Sequence, residues 1–324
     1  MKITSFAVAF AAALACATTA HAQAYPSHPI TMIVPFPAGG PTDTVGRVMA
    51  EHMKTSLGQT MVIENVTGAG GTIGIARVAR AAPDGYTLSI GQWTTHVGGG
   101  AIYPLQFHVL NDFEPISLLT SSPLWIVGKN DLPAKNLKEL IAWLQANPNK
   151  ATAATVGVGS AAHMCIIYFQ NNTGTRLQLV PYRGGAPALQ DLVAGQVDLG
   201  CLEASQTLGH YRGGGIKVFA VMAKSRFFPA PDVPTVDEAG APGLHFPFWH
   251  GLWAPKGTPK DIITKLNAAV VDAFADPAVR KRFADLGMEI PPRAQLTPEA
   301  LFAHHKAEIE KWWPIIKAAG IKVE

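Results

Sequence analysis

Strand-like and helix-like segments alternate along most of this 324-residue chain, and that alternation constrains its fold more than any other feature. HPITMIVPF (28–36) is a continuous apolar run of strand length. An amphipathic helix is predicted over 42–57, closed by Gly58. TMVIENV, GTIGIARVARA and YTLSIGQ then read as strand, helix and strand. The grammar returns after LWIVGK: NLKELIAWLQANP is helical, ATAATVGV a strand, MCIIYFQNNTG helical, LQLVPY a strand, GAPALQDLVAG helical, and QVDLGCLEA and IKVFAVMA strands. Such an order predicts parallel sheets wrapped by helices, an α/β class. The tail differs, with two helices split near Asp276-Pro277 and one more over LTPEALFAHHKAEIEKWWPIIKAAG. Pro41, Pro259 and Pro298 stand near predicted helix starts, where a missing N–H costs least, and Thr42, Thr258 and Thr297 are expected to cap there.

The first 22 residues have the layout of a secretory signal. Lys2 precedes an apolar stretch from Phe6 to about Cys16, and Ala20-His21-Ala22 puts small residues at −3 and −1 of a cut after Ala22. The stretch is shorter than the ~20 residues a membrane helix needs. A lipoprotein reading at Cys16 ranks second, because Ala13-Leu14-Ala15-Cys16 lacks the usual leucine at −3. Export to the periplasm is the expectation. About 300 remaining residues exceed what one core usually holds, so two domains are expected. Net charge is slight, 26 Lys and Arg against 23 Asp and Glu, with no basic stripe, which argues against a nucleic-acid partner. Of three cysteines, Cys165 and Cys201 remain after cleavage. They could pair in an oxidising compartment, but two buried free thiols are the preferred reading, and neither sits in a zinc-like spacing.

Four loops follow the C-terminal ends of predicted strands: PFPAGGPTD (35–43), GQWTTH (91–96), GVGSAAH (157–163) and PYRGGAP (181–187). Ligands of open α/β sheets collect outside those ends, where helix N-termini also point. Glycine lets backbone N–H groups approach, and a helix N-terminus favours negative charge. A small anion fits such corners, a carboxylate ahead of a phosphate because only Arg183 supplies a loop cation. Any one loop alone is an ordinary turn; four in succession are the signal. Phe36, Trp93 and Trp249 fall near strand ends and could wall a pocket, and Glu203 is a carboxylate at a further strand end.

Enzymatic readings are weaker. Ser160 and His163 lie on one turn, G-x-S-x-G is absent, and no acid can be placed to orient the histidine. GAGGTIG (68–74) has Ile73 where a dinucleotide fingerprint needs glycine, so a turn is expected there. HFPFWH and the pair His304-His305 have nothing nearby to complete a metal set. No cofactor and no metal are expected.

Taken in order, PFPAGGPTD, ENVTGAGGTIG, PDGYTL, GVGSAAH, VPYRGGAPALQDLVAGQVD and GLWAPKGTPKDIITKLN resemble the Bug family, the extracytoplasmic solute-binding proteins of tripartite tricarboxylate transporters. The resemblance covers essentially the whole mature chain. It implies a non-enzymatic, monomeric, two-lobed periplasmic binding protein, each lobe a mainly parallel sheet, with crossover strands joining 23–122 plus 249–324 to 123–248. It implies a membrane permease as partner and a small carboxylate gripped between two facing loops. Ala38, Gly39 and Gly40 would give backbone donors beside Phe36, Thr42 and Asp43, the last expected to turn away from the anion. Gly159, Ser160, Ala161 and His163 would come from the other lobe. Gln92, Trp93, Thr94, His96 and the stretch Cys201 to Glu203 would meet the ligand's distal end. A citrate-like acid is the default ligand, a flat or aromatic carboxylate a reasonable guess, and an amino acid a third option should Glu203 take an ammonium. An exported serine hydrolase using Ser160, or a sensor presenting its ligand to a receptor, are the rival functions.

Overall fold

The computed structural model describes residues 25–320. The expected signal sequence and its cut after Ala22 lie outside the described residues. Two five-stranded sheets organise the chain. The first contains β1 (Ile30–Val34), β2 (Met61–Asn65), β3 (Thr87–Gln92), β4 (Phe113–Ser121) and β10 (Trp249–Pro255), in the order β2-β1-β3-β10-β4. The second contains β5 (Leu124–Gly128), β6 (Thr152–Thr155), β7 (Gln178–Pro181), β8 (Leu199–Glu203) and β9 (Lys217–Val221), in the order β7-β6-β8-β5-β9.

The sheets are mixed rather than mainly parallel. β1 runs parallel to β2 and β3, and β6 parallel to β7 and β8, as the alternating pattern predicts. β10 is antiparallel to β3 and β4, and β5 antiparallel to β8 and β9. The cause is the crossing chain. β4 leaves the first sheet and, after only Ser122-Pro123, becomes β5 of the second, while β10 returns from the second sheet to the first. The crossings touch, with the Ser122 N–H donating to the Phe248 carbonyl at 3.1 Å.

Helices cover both sheets: α1 (Pro41–Leu57), α2 (Thr72–Ala79), α3 (Leu137–Ala146), α4 (Ala161–Thr173), α5 (Gly185–Val193), α6 (Ala204–Arg212), α7 (Lys260–Ala275), α8 (Pro277–Asp285) and α9 (Pro298–Ala318). Among the described residues no helix is long and apolar enough to cross a membrane. Of the three threonines expected to cap, only Thr297 does, its Oγ1 accepting from the Ala300 N–H. α1 begins one residue earlier than predicted, so Gly40 takes the cap position and Thr42 lies inside the helix, within hydrogen-bond distance of His250 Nε2. α7 is preceded by Pro259 at its cap position, and the Thr258 hydroxyl turns back to the Pro255 carbonyl instead.

One core cluster runs between the sheets and includes Ile33 and Trp93 from one side and Ile126, Ala153 and Leu199 from the other. Trp93 packs against Phe246 at 4.7 Å and edge-on to Trp312 at 5.5 Å. Burial of three large aromatic side chains, each worth on the order of 2–3 kcal/mol, ties the C-terminal helix to the crossing segment.

Candidate functional site

The C-terminal ends of the parallel strands of both sheets face one cavity, and four helices begin there. Gly40, Pro41 and Thr42 open α1; Ala161 and Ala162 open α4; Gly184 to Pro187 open α5; Glu203 and Gln206 belong to the start of α6; all line its wall. Phe36, Pro37 and Ala38 complete one jaw, and Leu124 and Phe248, from the two crossings, form the floor. The free volume is about 70 Å³. At roughly 10–15 Å³ per water this is room for about five waters, the scale of a small organic acid.

The helix starts leave donors open. The cap residues Gly40 and Gly184 have no side chain to satisfy the first turn, and Pro41 and Pro187 have no N–H of their own. The N–H groups of Thr42, Ala162, Gly185 and Ala186 make no hydrogen bond among the described residues. Each helix adds about half a positive charge at that end. Among the described residues no lysine or arginine lines the wall, and Glu203 is the one ionisable residue that does. The wall therefore attracts an anion through oriented peptide dipoles and offers it no counter-charge.

The jaws also touch. The Ala161 N–H donates to Thr94 Oγ1 at 2.9 Å, and the Tyr103 hydroxyl donates to the Val158 carbonyl at 2.9 Å. Gln92 Oε1 accepts from the Thr94 N–H at 2.9 Å, and Gln92 Nε2 has no acceptor among the described residues.

Of the residues expected at the ligand, Phe36, Ala38, Gly40, Thr42, Gln92, Thr94, Ala161, Cys201, Leu202 and Glu203 line the cavity. The others do not. The Gly39 N–H is turned inward and donates to Asp43 Oδ2 at 2.9 Å. Asp43 is buried, and its carboxylate also accepts from Arg47 Nε at 2.8 Å and Asn65 Nδ2 at 2.9 Å. Burial opposes its charge, but the bonds from Arg47, Asn65 and Gly39 outweigh burial and hold its carboxyl below the usual range. Asp43 thus stays off the cavity wall and braces the Ala38–Gly40 loop from behind.

Trp93 and His96 belong to the core. Residues 94–98 form a fully buried π-helical turn, and the His96 ring stacks on Trp253 at 3.7 Å. Trp249 is also buried away from the cavity, against His304 at 4.7 Å. Gly159, Ser160 and His163 stand one layer behind the wall. Ser160 Oγ caps α4 by accepting from the His163 N–H, and His163 Nδ1 accepts from the Gly159 N–H at 3.0 Å. Burial lowers the His163 pKa, keeping the ring neutral.

Arg183 is exposed and off the wall. Arg183→Ala is therefore expected to leave carboxylate affinity within about twofold in calorimetric titration, as exposed charges are screened. Among the described residues no group of three His, Cys, Asp or Glu side chains is placed to hold a metal ion. His245 pairs with Asp237 at 2.8 Å, and His305 Nε2 lies 2.6 Å from the His96 carbonyl.

The two cysteines are not free thiols. Cys165 of α4 and Cys201 of β8 form a disulfide with Cα atoms 6.1 Å apart, directly beside the wall. Packing of α4 over β8 brings together positions 36 residues apart, which no local pattern reveals. The PYRGGAP corner does reach the wall, through Gly184 to Pro187, whereas Leu124, Gln206 and Phe248 carried no signal in the sequence. The PYRGGAP loop was the available signal for α5, and its glycines and proline mattered where its arginine did not.

Fold and site together define a two-lobed solute-binding protein of the periplasmic type. The family profile described as "Tripartite tricarboxylate transporter family receptor" matches residues 45–321. The periplasmic binding protein BugD superposes with a TM-score of 0.87 at 40% identity, covering 92% of this chain and all of BugD. MatC from Rhodopseudomonas palustris, solved with bound malate, gives 0.87 at 39% identity over 90% of this chain and all of MatC. Another R. palustris protein, solved with adipate, gives 0.87 at 30% identity over 92% of this chain and all of its own. The chain belongs to the tripartite tricarboxylate transporter receptor family, of which the Bug proteins are members.

Proposed function

We propose that the chain is exported by its first 22 residues and works in the periplasm. There it captures a small dicarboxylate between its lobes and delivers it to the membrane permease of a tripartite tricarboxylate-type transporter. The observation that carries this reading is the convergence of four helix N-termini on a cavity without a lysine or arginine. Malate and adipate in two relatives favour a dicarboxylate over an aromatic acid. The segments 23–122 plus 249–324 and 123–248 are the two moving halves, hinged where Ser122 meets Phe248. Ligand bridging both halves favours closure, because contacts to both exist only then.

A thermal-shift screen of residues 23–324 tests the reading. At about one hundred times Kd, ligand binding adds about 2.7 kcal/mol to stability. Malate, adipate or a near relative should raise the melting temperature, while the matching neutral diamides should not. No rise with any di- or tricarboxylate would remove the reading.

The serine hydrolase alternative conflicts with the geometry, since Ser160 is fully buried and accepts a backbone N–H as a helix cap. Ser160→Ala should lower stability by about 1 kcal/mol through the lost cap. Urea denaturation measures that loss. Ester turnover by the parent protein that disappears in this variant would restore the enzyme reading.

A further inference from the structure

Glu203 ends β8 and occupies the cap position of α6, but its side chain caps nothing. It is 6% exposed and lines the cavity. One oxygen, Oε1, accepts from the Ser205 hydroxyl at 2.7 Å; the other makes no hydrogen bond among the described residues. No cation stands by. β5 presents Leu124, the crossing presents Phe248, and the starts of α1, α4 and α5 present uncharged residues. The ionisable groups behind them are spoken for. Asp43 and Arg47 pair with each other, and Cys201 is in its disulfide. Burial keeps His163 neutral and pushes His250 down to about 3. A buried carboxyl with one hydroxyl donor and no partner cation holds its proton. Burial, slightly offset by Ser205, pushes Glu203 up to about 8.

We propose that Glu203 is the specificity residue for the ligand's distal end: it meets the ligand as a neutral acid and donates its O–H to the second carboxylate. This rests on the proposed carboxylate-binding role of the cleft. It narrows the ligand to a dianionic dicarboxylate and sets against it acids whose distal group is an ammonium, which needs an ionised partner. Donation from a carboxylic acid to a carboxylate gives a short, charge-assisted bond without a second buried counter-ion. The sign of the pH dependence follows. The donor is present below the pKa and lost above it, so affinity should be level near neutrality. It should then fall by up to about tenfold per pH unit once Glu203 ionises.

The test is calorimetric titration of the mature protein with adipate and with malate from about pH 6.5 to 9.5, where both acids are fully ionised. Wild type, Glu203→Gln and Glu203→Ala are compared, with melting temperatures as folding controls. Wild-type affinity should fall at the alkaline end. Glu203→Gln keeps an N–H donor that cannot ionise, so it should bind a few-fold more weakly at neutral pH with a flat profile. Glu203→Ala should lose at least tenfold at neutral pH. Affinity that rises with pH, or a Glu203→Gln loss as large as that of Glu203→Ala, would overturn the proposal while leaving the cleft a carboxylate site. No binding of either acid to wild type at any pH would instead remove the carboxylate reading.

Discussion

Gly40→Leu is expected to abolish ligand capture, by about a hundredfold or more in affinity, while the protein remains folded. Most glycines near the site cannot separate these effects. Gly184 has a φ of +128°, and a Cβ on Gly185 would lie 2.2 Å from Gln206 Oε1, so substitutions there disturb the fold as well. Gly40 differs. Its backbone is extended at φ −80° and ψ 171°, and the nearest atom to an added Cβ is the Pro37 carbonyl oxygen at an ordinary 3.5 Å. A Cβ there meets no clash. Gly40 lines the cavity, so the four added heavy atoms enter a free volume of about 70 Å³ beside the first turn of α1. They cover the Thr42 N–H and displace the anion. The expected result is an unchanged circular dichroism spectrum, a melting temperature within a few degrees of the parent, and no heat on titration with a dicarboxylate. Retained affinity would show that α1 does not face the ligand.

Removing the disulfide with Cys165→Ala and Cys201→Ala should have the largest effect on stability. The bridge closes a loop of 36 residues and joins α4, one clamp helix, to β8, which carries Glu203. The chain-entropy relation gives about 4 kcal/mol for a loop of that length. At about 2–4 °C per kcal/mol for a chain of this size, the melting temperature should fall by roughly 8–15 °C. Both residues are fully buried, so reductant should act only on the unfolded chain and lower the apparent midpoint under denaturing conditions. Thiol titration of unreduced protein in denaturant should find no free sulfhydryl. Two free thiols, with a midpoint indifferent to reductant, would return the cysteines to independent core residues.

The parallel halves of both sheets are legible in sequence because each strand is a short apolar run punctuated by glycine and proline, with a helical pattern behind it. β4 and β10 are not. FEPISLLTS carries Pro115, and WHGLWAP carries Gly251 between bulky aromatics, so neither shows a clean strand period. Each is strand because it pairs with the other across the crossing, a tertiary fact. The same limit governs the site. Phe36, Ala38, Gly40, Gln92 and Thr94 were recoverable as loop residues at strand ends. Trp93 and His96 sit in an equally polar stretch, yet both are buried there: Thr95 Oγ1 donates to the Gln92 carbonyl at 3.0 Å, while Trp93 Nε1 and His96 Nε2 find no partner among the described residues. The glycines of VPFPAGGPTD have separate duties that sequence could not apportion. Gly39 serves Asp43, and Gly40 faces the cavity.

The most direct test of the central claim is a titration of isotopically labelled mature protein with adipate, followed by amide NMR. Convergence of helix N-termini on the anion predicts large downfield shifts of the Thr42, Ala162, Gly185 and Ala186 amide protons, saturating together with one dissociation constant. Saturable binding that leaves those four amides unmoved would contradict the account.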